Sequence, residues 1–144
     1  MYKRQQFKSL DLANGSFVKE LSNSRTFCAN SDVDVMRSRG LALGGTLMNA
    51  LVVDGSDVLN PGGMRYVDEP VRHKMLDAVG DLALAGGPII GRYIGRRSGH
   101  TATNKLLKKL FSKPLAFRMI DCNLEMTMCL PGAGVVWDDV CITK

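Results

Sequence analysis

The sequence predicts an α+β fold: a two-layer sandwich in which two main helices pack on a small, mostly antiparallel sheet, with an inserted hairpin-like segment. Three observations carry this. Helical and strand-like stretches both occur, but without the regular β–α–β alternation of a doubly wound parallel sheet. The links between short strands read as hairpins. The chain has 144 residues, 45% hydrophobic and 23% charged, which suffices for one core and little more.

At the start of the chain, MYKRQQFKSL is basic and polar without a period, and residues 1–10 are expected to be a disordered or non-native start. Asn14-Gly15 marks a turn. Ser31 and Asp32 offer N-caps for a short helix, Val33 to Arg39, closed by Gly40. Two β-rich pieces, Ala50–Asp54 and Val58–Asn60, joined by Gly-Ser-Asp, predict a hairpin that Pro61-Gly62-Gly63 ends. The strongest helix signal is DEPVRHKMLDAVGDLALAGG. Its acids suit the positive N-terminal end, Pro70 suits the first turn and Gly86-Gly87 the stop. At 100° per residue, Val71, Met75, Leu76, Val79, Leu82 and Ala83 share one arc, opposite His73, Asp77 and Asp81, with Lys74 beside them. A strand is expected over about Pro88 to Arg97, then a Ser98-Gly99-His100 turn. A second helix, Thr101 to Phe111, should bury Leu106, Leu107, Leu110 and Phe111 and show its lysines to water. Pro114 stops it, Leu115–Ile120 alternates like a strand, and Leu130-Pro-Gly-Ala-Gly breaks any regular element after it.

Composition excludes several classes. No run of 18 apolar residues and no apolar leader occurs, so neither a membrane span nor secretion is expected. Four cysteines (Cys28, Cys122, Cys129, Cys141) form no CxxC pair, which argues for free thiols in a reducing compartment and against a zinc knuckle. The net charge is +5, and eight of the 19 basic residues lie between Asp81 and Asp121, where no carboxylate occurs. That local field suits a phosphate-bearing partner, either nucleic acid or a small anion, or is a solvated basic face. The aromatics are scattered singly, without the basic-aromatic interleaving that stacks bases.

Two histidines exist. His73 and Asp77, one helical turn apart, can aim an imidazole and a carboxylate at one point, as two zinc ligands do, or can simply bond to each other on the helix surface. His100 comes after Ser-Gly, where a strand is expected to give way to a helix. It is placed for general acid–base work or for capping. Asp81 can pair with an imidazole and hold it protonated, or stand solvated.

The runs RSRGLALGGTLMNALVVDG, VLNPGGMRYVDEPVRHKMLDAVGDLALAGGPIIG and SGHTATNKLLKKLF, with SRTF upstream, resemble the second domain of UDP-3-O-acyl-N-acetylglucosamine deacetylase, a zinc hydrolase of lipid A synthesis in Gram-negative bacteria. The resemblance covers residues 24–111 and implies a cytoplasmic enzyme. It makes residues 11–144 that second domain, with the first domain absent, and makes His73 and Asp77 two of three Zn2+ ligands. His100 corresponds to the general acid that also steadies the oxyanion, and Asp81 to its carboxylate partner. Lys74, Thr26 and Phe27 correspond to substrate contacts. Gly45, Thr46, Leu47, Ala50 and Val52 correspond to the inserted segment that passes the acyl chain. The implied partners are a nucleotide sugar bearing an acyl chain and the missing first domain, with no nucleic acid. The family's third ligand and general base come from a Glu-His dipeptide that this sequence lacks. The expectation is therefore a truncated or split deacetylase, inactive alone. The alternative is a non-catalytic module that binds anions or nucleic acid through its basic 92–118 face.

Overall fold

The computed structural model describes residues 6–13, 15–128 and 130. Asn14 of the predicted turn, Cys129, Cys141 and the break after Leu130 lie outside the described residues. The chain divides into two units, one of 6–8 with Asn23–His73, the other of Ser9–Ser22 with the residues from Lys74 on.

In the first unit, β1 (Thr26–Ala29) runs directly into α1 (Asn30–Ser38), and the chain returns as β2 (Ala50–Asp54) and β3 (Asp57–Val58). The sheet is mixed rather than mostly antiparallel. β1 and β2 pair in parallel from Thr26↔Ala50 to Ala29↔Val53, and β2 pairs with β3 antiparallel. The reason is α1: a parallel pair needs a crossover, and a helix between the strands supplies one. The helix starts at Asn30, ahead of the Ser31 and Asp32 predicted to cap it, because β1 leaves no gap. Its stop is as predicted. Gly40 takes φ 72°, its N–H donates to the Arg37 carbonyl and that of Leu41 to the Met36 carbonyl, the paired bonds of a Schellman motif.

The hairpin turns at Gly55 (φ 59°), with Asp54 opposite Asp57. Its second strand is shorter than expected, because buried Asn60 substitutes its amide for the ladder. Asn60 Oδ1 accepts from the Val52 N–H at 2.8 Å, and Nδ2 donates to the Leu47 and Ala50 carbonyls at 2.6 Å each. Leu51, Val52 and Val53 are the buried centre of this unit.

The predicted long helix is α2 (Glu69–Leu82), which begins in the first unit and continues in the second. A 3-10 turn (Ala83–Ala85) ends at Gly86, φ 83°, as the glycine pair predicted. α3 spans His100–Phe111, so His100 is its first residue instead of standing before it. Its buried face is narrower than the periodicity predicted. Leu107 and Thr103 are buried, while Leu106 and Phe111 are exposed. Thr103 is held by Tyr93, whose hydroxyl lies 3.2 Å from Oγ1.

Two predicted strands are not found. Residues 88–97 are irregular, and 115–120 continue from a 3-10 turn (Pro114–Ala116) as irregular chain. Local alternation is not enough: a strand needs a neighbour to take its N–H and C=O groups, and among the described residues neither run has one. A short α4 (Leu124–Thr127) comes last, capped by Asn123. No helix among the described residues is long and apolar enough to cross a membrane.

Candidate functional site

In the second unit, α2 and the start of α3 bring four of the sequence-predicted side chains together. His100 Nδ1 donates to both oxygens of Asp81, at 2.9 and 3.0 Å, and its Nε2 lies 4.0 Å from Asp77 Oδ2. Asp77 and Asp81 stand one turn apart on α2, so both carboxylates present on one face. Lys74, one turn earlier, donates from Nζ to the Ser98 carbonyl at 3.0 Å, which ties α2 to the segment entering α3. The Asp81 hydrogen bond, then its charge, then that of Asp77 raise the His100 pKa above the ordinary histidine value. Partial desolvation and Lys74 oppose them without prevailing. The imidazole is mostly exposed, so its proton is accessible from solvent.

In the first unit, His73 Nδ1 lies 3.2 Å from the Ser24 carbonyl. A carbonyl only accepts, so Nδ1 carries the proton and the lone pair of the neutral ring sits on Nε2. That is the arrangement in which a histidine ligates a metal, with its other nitrogen bonded to a carbonyl. The Phe27 ring meets the imidazole edge to face, at 6.2 Å between centroids and 83° between planes. The donor chemistry of His73 is thus of the kind that suits a divalent zinc-like ion. Among the described residues, no three His, Cys, Asp or Glu side chains gather as a closed metal cage.

Four other predicted residues, Thr26, Phe27, Gly45 and Ala50, line one cleft of about 460 Å³, together with Cys28 and Met36. Burial, and then the Asp32 charge, push the Cys28 thiol pKa upward. The remaining three predicted positions fall elsewhere. Thr46 is in the turn where its N–H donates to Asn49 Oδ1 at 2.7 Å. Leu47 borders a smaller hollow with Arg25 and Arg65. Val52 is buried within the sheet.

Sequence reading does not reveal the best-satisfied polar group in the first unit, the Glu69 carboxylate, which is wholly buried. It accepts from Arg25 Nε and N–H at 2.9 Å each, from Arg25 Nη2 at 3.0 Å and from the Arg65 N–H at 2.7 Å. Burial alone would raise its pKa, but the Arg25 hydrogen bonds and the Arg65 N–H outweigh that and lower it. The Arg in SRTF, 44 residues away, is the only sign of a partner that the sequence offers.

A histidine clasped by one carboxylate and faced by a second is the equipment of an acid–base site, here on an α+β scaffold. The chain belongs to the UDP-3-O-acyl N-acetylglycosamine deacetylase (LpxC) family, whose model matches residues 1–112, further upstream than the run 24–111 that carries the resemblance. It is 46% identical over 117 residues to the UDP-3-O-acyl-N-acetylglucosamine deacetylase of Alcanivorax borkumensis, covering 81% of this chain and 38% of that protein. It is also 46% identical over 112 residues to the enzyme of that name from Neisseria meningitidis, covering 78% of this chain and 36% of that protein. The chain thus spans little more than a third of the length of these relatives.

Proposed function

We propose that this chain contributes the acid and two metal ligands to a zinc-dependent deacetylase acting on UDP-3-O-acyl-N-acetylglucosamine in the cytoplasm. The observation that carries this reading is the His100–Asp81 pair, in which both carboxylate oxygens hold Nδ1 of a solvent-accessible imidazole and favour its charged form. His100 would give its Nε2 proton to the leaving amine and stabilise the oxyanion before it, while Asp81 keeps Nδ1–H in place. His73 and Asp77 would hold the ion, which when bound supplies Lewis-acid polarisation of the scissile carbonyl and of water. Lys74 would meet the substrate's polar part. The acyl chain would lie in the cleft lined by Thr26, Phe27, Gly45 and Ala50, beside Thr46, Leu47 and Val52. The third ligand and the general base would come from a Glu-His dipeptide outside this sequence, as the resemblance implies, so the isolated chain should have negligible activity.

The test grafts residues 24–111 into the corresponding segment of the Neisseria meningitidis relative. The chimera should deacetylate the acylated nucleotide sugar, and His100→Ala should lower the rate by about 10²–10⁴-fold. A folded but inactive chimera, or chelator-sensitive hydrolysis by the isolated chain, defeats the reading. Salt-sensitive binding of the isolated chain to DNA that survives His73→Ala and Asp77→Ala would instead favour the anion-binding module.

A further inference from the structure

One peptide group in the first unit is gripped at both ends by a single helix. The Ser24 carbonyl accepts from His73 Nδ1 at 3.2 Å, and the Arg25 N–H of the same peptide donates to Glu69 Oε1 at 2.9 Å. Glu69 and His73 are four residues apart on α2, so they project from one face in successive turns. Because the peptide is planar, fixing the direction of its N–H also fixes the direction of its C=O.

The Glu69 carboxylate is held in turn. The Arg25 guanidinium reaches it with Nε and Nη2 and spends Nη2 on the Gly63 carbonyl as well, at 2.8 Å. The flanks of the peptide are pinned too. Arg65 Nη1 donates to the carbonyl and Oδ1 of Asn23 at 2.9 Å each, and Thr26 enters the β1–β2 ladder opposite Ala50.

A buried ion pair is weak as a source of stability, since desolvating both charges costs about as much as their attraction returns. What it does supply is geometric definition. We propose that the Arg25–Glu69 pair is a positioning device for His73: it aims the Ser24 carbonyl at Nδ1 and so keeps the imidazole in the tautomer whose Nε2 holds the lone pair. Both act through one peptide group. The functional value of that tautomer rests on the reading of His73 as a metal ligand.

The test is long-range ¹H–¹⁵N NMR of the histidine rings in the metal-free chain at about pH 8.5, where an ordinary imidazole is neutral. With two histidines, assignment comes from His100→Gln. Wild-type His73 should show the Nδ1–H pattern. Glu69→Gln and Arg25→Lys should shift most of its population to Nε2–H, while the His100 signals stay unchanged as a control for folding. Zinc affinity, measured by competition with a chromophoric chelator, should fall about 10–100-fold in the same variants. A wild-type ring in the Nε2–H form overturns the proposal whether or not the variants fold. So does a folded variant that keeps the Nδ1–H form. A tautomer shift upholds the positioning role even where the isolated chain, with two of the three ligands, holds no zinc. The metal reading of His73 is then decided by His73→Ala in the chimera, where unchanged zinc content removes His73 from the metal site.

Discussion

Asp81 receives the His100 Nδ1–H on both of its oxygens, at 2.9 and 3.0 Å, although the two residues sit 19 positions apart on separate helices. The hydrogen bond favours the charged ring, which is why the pKa of this solvent-facing histidine rises instead of staying at its ordinary value.

Asp81→Asn keeps the shape and removes the charge. The His100 pKa should then fall toward its ordinary value, read as a shift to lower pH in the ring C–H NMR titration. Asp77→Asn should move it the same way by less, since Asp77 lies 4.0 Å away and ranks behind Asp81 as a cause. An unchanged titration in Asp81→Asn would falsify the assignment of the shift to that pair.

Stability should respond to pH on both sides. The His100 pKa is raised by folding, so its contribution is fully present below the ordinary histidine pKa of about 6.5 and is lost as pH climbs through the raised value. Asp68 and Glu69 are lowered by folding. Their contribution is present above the ordinary carboxylate range and drains away as pH falls through their lowered values. Urea midpoints should therefore peak between about pH 5 and 6.5, and the alkaline decline should be smaller in Asp81→Asn, where Asp77 and the raised Cys28 thiol still leave part of it. A wild-type midpoint that holds steady from about pH 6 to 9 contradicts this.

Arg25→Met strands a buried carboxylate and should cost about 3–5 kcal/mol, measured by chemical denaturation. Arg25→Met with Glu69→Leu should cost clearly less than the sum of the single changes, because no unpaired charge remains. Strict additivity would mean that the two residues do not act as a pair.

Little of this pair can be read in the sequence, and the reason is physical. α2 and α3 are written in contacts three and four residues apart, which is why their limits, the Gly86 stop and the His73, Asp77 and Asp81 face can be anticipated. Glu69 reads as an ordinary first-turn acid and Arg25 as an ordinary surface base until the chain brings them together. β1 is hidden for the same reason: TFCA has no pattern of its own, and its partner enters through a parallel ladder. Residues 88–97 show the converse, a strand-like composition without a neighbour. The orientation of His73 depends on the Ser24 backbone carbonyl, which no side-chain motif encodes.

Asn60→Ala should remove three hydrogen bonds at once and orphan the Val52 N–H and the Leu47 and Ala50 carbonyls. At about 1–3 kcal/mol for each buried group that water does not reach, the loss should exceed that of a typical surface change several-fold, seen as a lower melting temperature. Asn60→Asp should rescue only part, since it retains the acceptor and lacks both donors. A melting temperature unchanged in Asn60→Ala argues that water replaces the amide.

The parallel ladder also has a kinetic side. Asn30 and Asp54, whose side chains meet at the end of β1 and β2, are 24 residues apart, and Arg25 and Glu69 are 44 apart. Contacts that distant repay the entropy of closing their loops only after the loops have closed, whereas helical turns form within a few residues. In the first unit the pairing of β1 with β2 is therefore expected to follow the turns of α1. The Arg25–Glu69 pair, which closes the longer loop, is expected to form later still.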